Sequence, residues 1–195
     1  MVDTFKGYRP NGTSEHRKIL DPIIHAVTTI DHKGRLAHDG FYFSTVGKVV
    51  GTEDGAISEF LFIVPAGADI HLQPVTMSFG SGDIDIEFFE GVTTSSDGAL
   101  VNNTFNVDRN STQVAEAELR AGAVVTDDGI EPFHIWIPPT ATGVGQSTAG
   151  ITGSTGGIEW ILKRGSKNLM RVTNNSGETI DWNYQINWYE AHYHD

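Results

Sequence analysis

The stretch TIDWNYQINWYE near the C-terminus alternates strictly between apolar and polar residues, and this pattern most constrains the fold. Every second side chain of an extended strand points to the same face. The sequence therefore predicts a strand at 179–190 with one face in the core, formed by Ile180, Trp182, Tyr184, Ile186 and Trp188. The alternative, an aromatic platform for a ligand, is weaker because exposed apolar patches of that size are rare.

Similar patterns elsewhere indicate an all-β chain. Strands are predicted at 23–30, 40–50, 56–64, 69–79, 83–90, 131–137, 158–164, 168–174 and 179–190. Pro74 predicts an edge, a bulge or a break in its strand, and Trp160 is predicted to be a core residue. Residues 113–125 fit a helix and a strand equally well, and 91–112 and 140–157 are predicted loops.

The spacing of these strands predicts an antiparallel sandwich or barrel, because turn signals recur roughly every 8–12 residues. A parallel sheet is disfavoured because strands and helices do not alternate. We expect residues 1–22 to form an extended arm and residues 23–195 to form one β-sandwich domain.

Charge and composition narrow the possible partners. The chain has 25 acidic and 13 basic residues, for a net charge of -12, which disfavours nucleic acid and anionic membranes. Cysteine is absent, so thiol catalysis, thiolate metal sites and disulfides are excluded. The sequence shows no signal-peptide run and no stretch of membrane-spanning length, and we expect a protein made in a cytoplasm.

Three carboxylates in GDIDIEFFE are candidates for chemistry. Asp83, Asp85 and Glu87 are two residues apart, so they share one side of a predicted strand. They fit a site for a hard cation or a glycosidase pair, but a solvated acidic face is the favoured interpretation. His192, His194 and Asp195 could form a weak metal site at the terminus. No metal, cofactor or catalytic residue is predicted.

The segment NNTFNVDRNST at 102–112 is rich in short polar side chains that satisfy backbone groups in long ordered loops. Arg109 is the lone cation in it and could clamp the loop through its planar donor fork. An ordinary exposed turn fits the segment equally well.

Four motifs carry a family resemblance. They are Arg109-Asn110-Ser111, Glu159–Lys163 (EWILK), Leu169–Thr173 (LMRVT) and Asn187–Glu190 (NWYE). In this order they resemble the head decoration, or cement, proteins of tailed bacteriophages over roughly the second half of the chain. The first half is similar only in general character, with IEFFEG at 86–91 as its best match. Ala191 departs from the family pattern by separating the Tyr-Glu pair from His192.

The resemblance implies a jelly-roll β-sandwich that assembles as a homotrimer and catalyses no reaction. Such a protein binds the major capsid protein on the outer surface of an expanded head and stabilises the shell. We expect contacts to the capsid or to a neighbouring subunit from Tyr8, Arg9, Arg17, Lys18 and Arg109.

Two other functions stay open. The first is a carbohydrate-binding module or a phage receptor-binding component, with Trp136 or Tyr189 stacking on the sugar. The second is a glycoside hydrolase or lyase on the same fold that uses Asp83, Asp85 or Glu87.

Overall fold

The structure is a computed structural model that describes residues 17–20, 27–30, 32–73, 75–80, 82–139, 147–151 and 160–192. Side chains are described for residues 34–192, apart from those of residues 74, 81 and 140–159.

Strands dominate the described residues, and a single short helix precedes the main sheets. The elements in chain order are β1 (Arg17–Leu20), β2 (Val27–Ile30), α1 (His32–His38), β3 (Tyr42–Thr52), β4 (Ile57–Ile63), β5 (Asp69–Leu72), β6 (Val75–Phe79), β7 (Ile84–Glu90), β8 (Thr93–Ser96), β9 (Ala99–Leu100), β10 (Thr104–Asn106), β11 (Glu118–Ala121), β12 (Val124–Asp127), β13 (Ile130–Ile137), β14 (Ser147–Ile151), β15 (Trp160–Leu162), β16 (Lys167–Asn174) and β17 (Ile180–Ala191).

The first sheet is built around β17, its longest strand. On one side β17 pairs with β3, which pairs with β10. On the other side β17 pairs with β6 along its first half and with β5 along its second half. Strands β14 and β15 pair with β6 and β5 at the far edge. All of these pairs are antiparallel.

The second sheet has the order β13-β7-β16-β4-β11-β9, and its pairs are also antiparallel. Two further antiparallel pairs, β1 with β2 and β8 with β12, form separate two-stranded sheets.

The two large sheets bury their facing sides in one hydrophobic cluster. The inward side chains of β17 are between 0 and 7% exposed, namely Ile180, Trp182, Tyr184, Ile186 and Trp188. From the second sheet, Phe60 meets Trp182 edge-on at 5.8 Å, and Phe62 meets Trp188 edge-on at 5.2 Å between ring centroids. Trp160 is partly buried at the margin of the same cluster. The all-β, antiparallel sandwich predicted from the sequence is therefore confirmed.

The chain alternates between the two sheets along most of its length. The order β3, β17, then β5 with β6, then β15 with β14 lies opposite the order β4, β16, β7, β13. Connecting consecutive strands across the sandwich in this way is compatible with a jelly roll, which winds eight strands into two sheets.

Three predicted loop or ambiguous regions contain strands. Residues 91–112 contain β8, β9 and β10, 113–125 contains β11 and the start of β12, and 140–157 contains β14. These strands are short or mostly polar and lie towards sheet margins or in the separate β8–β12 pair, so they lack the apolar alternation that marks a core strand. Pro74 does mark a break, because β5 ends at Leu72 and β6 begins at Val75.

Helix α1 was not predicted. It ends at a glycine, where the Phe41 N–H donates to the Leu36 carbonyl at 2.8 Å and the Gly40 N–H donates to the Ala37 carbonyl at 3.2 Å. This pair of bonds is a Schellman motif, which requires the left-handed φ of 81° that Gly40 adopts. The helix has only seven residues, too few for a 3.6-residue stripe to stand out in the sequence.

The predicted N-terminal arm lies mostly outside the described residues, including Tyr8 and Arg9. Arg17 and Lys18 fall in β1, which pairs with β2, but their side chains are not described. The arm and its contacts stay predictions.

Replacing Trp188 by alanine is expected to lower the free energy of unfolding by about 3–5 kcal/mol, because a fully buried indole is removed from the centre of the core. Gln185→Ala, on the solvent side of the same strand, is the matched control and should change stability by less than about 0.5 kcal/mol. Denaturant melts of both variants provide the measurement. Equal, small losses would mean that Trp188 contributes nothing to the core.

Candidate functional site

A long loop next to α1 carries the first of the resemblance motifs. We call residues 107–117, between β10 and β11, the Arg109 loop. Asn106 anchors its start by donating from Nδ2 to the Gly40 carbonyl at 2.6 Å and accepting the Asp108 N–H at 3.0 Å. The Asp108 carboxylate in turn accepts the Asn110 N–H at 2.9 Å. Of the two interpretations given for this segment, these contacts agree with an ordered loop in which short polar side chains hydrogen-bond to backbone groups.

A buried carboxylate anchors the other end of this loop. Glu190, near the end of β17, is 1% exposed. Its Oε1 accepts the N–H groups of Glu116 and Ala117, each at 3.0 Å, and its Oε2 also accepts the Glu116 N–H at 3.1 Å. The Trp188 indole N–H donates to the same Oε1 at 3.2 Å. Several donors converge on one carboxylate, which is how a charge is accommodated in a protein interior.

Arg109 itself is exposed at the outer side of the loop. Its guanidinium lies above the Phe105 ring, with Cζ 5.4 Å from the ring centroid. A cation–π contact thus orients the side chain. Arg109 was considered as the side chain that holds the loop, but Glu190 does so instead, through its hydrogen bonds to Glu116 and Ala117.

Glu190 could have been recognised from the sequence. It lies two residues beyond Trp188 in β17, so this charged side chain points to the same buried face as the apolar ones. A charged side chain at a core position needs hydrogen-bond partners. Its position in the sequence therefore indicates that Glu190 binds other groups of the protein.

A second notable surface is the outer face of the second sheet, where β13, β7 and β16 lie side by side. Strand register places Trp136 opposite Asp85, and Asp85 opposite Thr173. The adjoining row places His134 opposite Glu87, and Glu87 opposite Arg171. We call the surface around Trp136 the Trp136 face, formed by Asp83, Asp85, His134, Trp136, Thr173 and Asn175.

Trp136 is 58% exposed, and a single hydrogen bond orients its ring. The indole Nε1–H donates to Asp83 Oδ1 at 2.8 Å. Asp83 has a φ of 83° and is the one non-glycine residue with a positive φ in the described part of the chain. Its backbone is held on both sides, because its N–H donates to the Ile137 carbonyl at 3.1 Å and its carbonyl accepts the Asn175 N–H at 2.8 Å.

The neighbouring carboxylate, Asp85, is oriented from two sides. His134 Nε2 lies 3.1 Å from Asp85 Oδ1, and Asn175 Nδ2 donates to Asp85 Oδ2 at 2.8 Å. The hydrogen bond to Asp85, together with the charges of Asp85, Glu131 and Glu87, raises the pKa of His134 above its ordinary value, although partial burial opposes this.

The three carboxylates predicted from GDIDIEFFE come together as expected. Asp85 and Glu87 lie on the outer face of β7, and Asp83 precedes the strand and contacts Trp136 on that face. Glu87, Glu131 and His134 hold their ligand atoms within 4.8 Å of one another. These groups are partly or fully exposed, as solvated acidic clusters commonly are, so the geometry alone does not assign a metal.

Tyr189, the other residue considered for sugar stacking, is not available. It is 2% exposed and lies between the rings of Tyr42 and His71, with centroid distances of 6.4 and 4.4 Å. The polar side of β17 is thus covered at its C-terminal end, where α1 packs near the strand.

Arg171, the arginine of the LMRVT motif, forms ion pairs and a cation–π contact within the fold. Arg171 Nη2 lies 2.8 Å from Glu59 Oε1 and 2.8 Å from Asp128 Oδ1, and its guanidinium lies 4.8 Å from the Phe89 ring centroid. These hydrogen bonds, the one to Asp128 first, raise the pKa of Arg171 further above its ordinary value. Arg171 thereby ties β4 and β16 to the loop after β12, beside the β8–β12 pair.

No helix within the described residues is long and apolar enough to cross a membrane. Protein-family models, curated proteins and solved structures give no match to this chain.

Replacing Glu190 by alanine is expected to lower the free energy of unfolding by about 3 kcal/mol, because two backbone N–H groups and an indole N–H lose their acceptor. Hydrogen exchange at the amides of Glu116 and Ala117 should accelerate beyond the global effect. Glu178→Ala, which removes an exposed carboxylate, is the control. Unchanged exchange at both amides would show that Glu190 does not hold the loop.

His134 should make stability depend on pH. A raised folded-state pKa means that its contribution is complete below the unfolded pKa of about 6.5 and is lost as the pH rises through the folded value. His134→Gln should remove this decline in stability above about pH 6.5. A histidine titration by NMR gives the folded pKa directly, and a value below that of a model peptide would contradict the assignment.

Proposed function

We propose that the chain is a structural virion protein that decorates the outer surface of a phage capsid and stabilises it by binding the major capsid protein. The proposal includes assembly as a homotrimer, the absence of catalysis, and the outer capsid surface as the location of the protein. It starts from the four motifs that resemble head decoration proteins.

The positions of these motifs in the fold support the proposal. Leu169–Thr173 lies in β16 and Asn187–Glu190 in β17, each an interior strand of its sheet. Arg109-Asn110-Ser111 lies in the loop that Glu190 anchors. The loop that carries one motif is thus joined, at Glu116 and Ala117, to the last residue of another motif that is far away in sequence, as expected if the two serve one purpose.

The observation that carries the proposal is the preorganised Arg109 loop. A buried charge and a series of side-chain hydrogen bonds order a surface loop whose most prominent side chain is an exposed cation. A loop ordered before binding loses less entropy on docking, and arginine is enriched among residues that dominate binding energies. On a chain of net charge -12, such a cation stands out as a specific contact to an acidic patch of a partner.

Absence of catalysis is part of the proposal. A general acid needs a carboxyl group in an apolar, water-poor site. Asp83, Asp85 and Glu87 lie on an open sheet face, where hydrogen bonds to an indole, an amide and an imidazole orient two of them. Their arrangement supports binding rather than proton transfer.

The direct test is co-sedimentation of the purified protein with expanded heads that lack it, quantified as copies per head at saturation. We expect a plateau at a multiple of the number of capsomers or three-fold sites. Light scattering on the free protein tests the trimer. Absence of binding by well-folded protein to intact heads would overturn the proposal.

Arg109→Ala should weaken binding to heads by about tenfold without changing stability, because it removes an exposed contact and no buried group. Lys48→Ala removes another exposed cation, which lies outside the four motifs, and is the control.

Deleting residues 1–16 removes Tyr8 and Arg9 but keeps β1 and β2. If the deletion variant bound as tightly as the full chain, residues 1–16 would have no role in attachment.

A further inference from the structure

We propose that the Trp136 face is a binding site for a neutral carbohydrate, with the sugar ring stacked on the Trp136 indole and its hydroxyls bonded to the adjacent carboxylates. This inference goes beyond the capsid role and does not depend on it.

The first argument is the way Trp136 is presented. A scattered exposed apolar side chain needs no explanation, but this indole is both open to solvent and fixed in orientation. An oriented, exposed aromatic ring is a platform on which the C–H face of a sugar can pack, because the ring loses little freedom when the ligand arrives.

The second argument is the backbone that holds the ring. Asp83 accepts the indole N–H from a left-handed conformation that non-glycine residues adopt only at some cost. Two backbone hydrogen bonds, to Ile137 and from Asn175, keep it there. Local strain of this kind is concentrated at ligand-binding sites. Here it positions the residue that orients the exposed ring.

The third argument is the directional polar groups beside the ring. Trp136 and Asp85 are cross-strand neighbours, and both Asp85 oxygens already have a donor, His134 on one and Asn175 on the other. Each carboxylate oxygen has a second lone pair that can accept a hydroxyl proton. A carboxylate held in this way can distinguish hydroxyl positions, because hydrogen bonds to it must follow fixed directions.

Charge decides which sugars fit. Asp83, Asp85, Glu87 and Glu131 give this side of the sheet an acidic character that opposes sialic acids, uronic acids and phosphorylated sugars. The orientation of Asp85 by hydrogen bonds suits the directional hydroxyl groups of a neutral polyol. When His134 is protonated, its positive charge lies 3.1 Å from Asp85 and reduces the attraction for a cation.

The test uses the full chain and a panel of neutral mono- and disaccharides built from glucose, galactose, mannose and N-acetylglucosamine. The four tryptophans give four indole N–H signals in an NMR spectrum, and Trp182 and Trp188 are buried. We expect at least one sugar to shift the Trp136 signal in a saturable way while the buried indoles stay unmoved.

Variants then locate the site. Trp136→Ala should lower affinity at least about tenfold, as removal of a stacked aromatic does. Asp85→Asn should lower it without loss of folding. Ile161→Ala removes a similarly exposed apolar side chain from the other sheet and should leave affinity unchanged.

Two results would overturn the inference. They are no saturable shift of the Trp136 signal with any sugar of the panel, and equal binding by Trp136→Ala. Co-sedimentation with heads tests the capsid role separately from sugar binding. Trp136→Ala should still decorate heads if the two surfaces act independently.

Discussion

The burial of one face of β17 between the two sheets is the constraint on which the rest of the structure depends. This strand pairs with β3 on one side and with β5 and β6 on the other, so it organises the first sheet. Its two tryptophans contact Phe60 and Phe62 of the second sheet. Because these rings fill the space between the layers, the register of β17 cannot slip by one residue without moving the whole apolar set to solvent.

The two-residue period of β17 also explains the positions of Gly47 and Glu190. Tyr184 needs room within the sheet, and Gly47 provides it: the two residues are cross-strand partners, and a Cβ at Gly47 would overlap the tyrosine ring. Two residues beyond Trp188 the inward position holds Glu190, whose carboxylate satisfies the loop backbone instead of packing against apolar groups. One strand therefore supplies both the centre of the core and the anchor of the Arg109 loop.

Long core strands were predictable from sequence because their alternation is set by burial alone. Strands β4, β7, β13, β16 and β17 all lie where the pattern indicated, within a few residues. The strands at the sheet margins were not predictable. Strand β8 is polar, β9 has only two residues and β14 contains a glycine, and each pairs with a strand distant in sequence. Helix α1 depends on a glycine at its C-terminal end, a signal shared with the ordinary turns of this chain.

Side-chain contacts were harder to predict from the sequence than strands were. The sequence placed Asp85 and Glu87 on one face, since that follows from a period of two, but it gave no indication that Trp136 and His134 would lie opposite them. Those pairings depend on strand order and register, which a pattern of faces leaves open. Tyr189 shows the converse: it belongs to the polar side of β17, yet it is 2% exposed and the rings of Tyr42 and His71 stack on it.

The two surfaces proposed for binding differ in how the fold makes them rigid. Trp136 lies on β13, and its neighbours in sequence, Ile135 and Ile137, pack against the core, so the sandwich supports its backbone directly. In the Arg109 loop, Ala117 packs in the core at one end, but the stretch around Arg109 is held by hydrogen bonds with Asn106 and Asp108, and Glu190 bonds the loop from β17. Loss of an anchor should therefore free the loop while leaving the Trp136 face intact, since energetic effects at separated sites without shared partners are nearly independent.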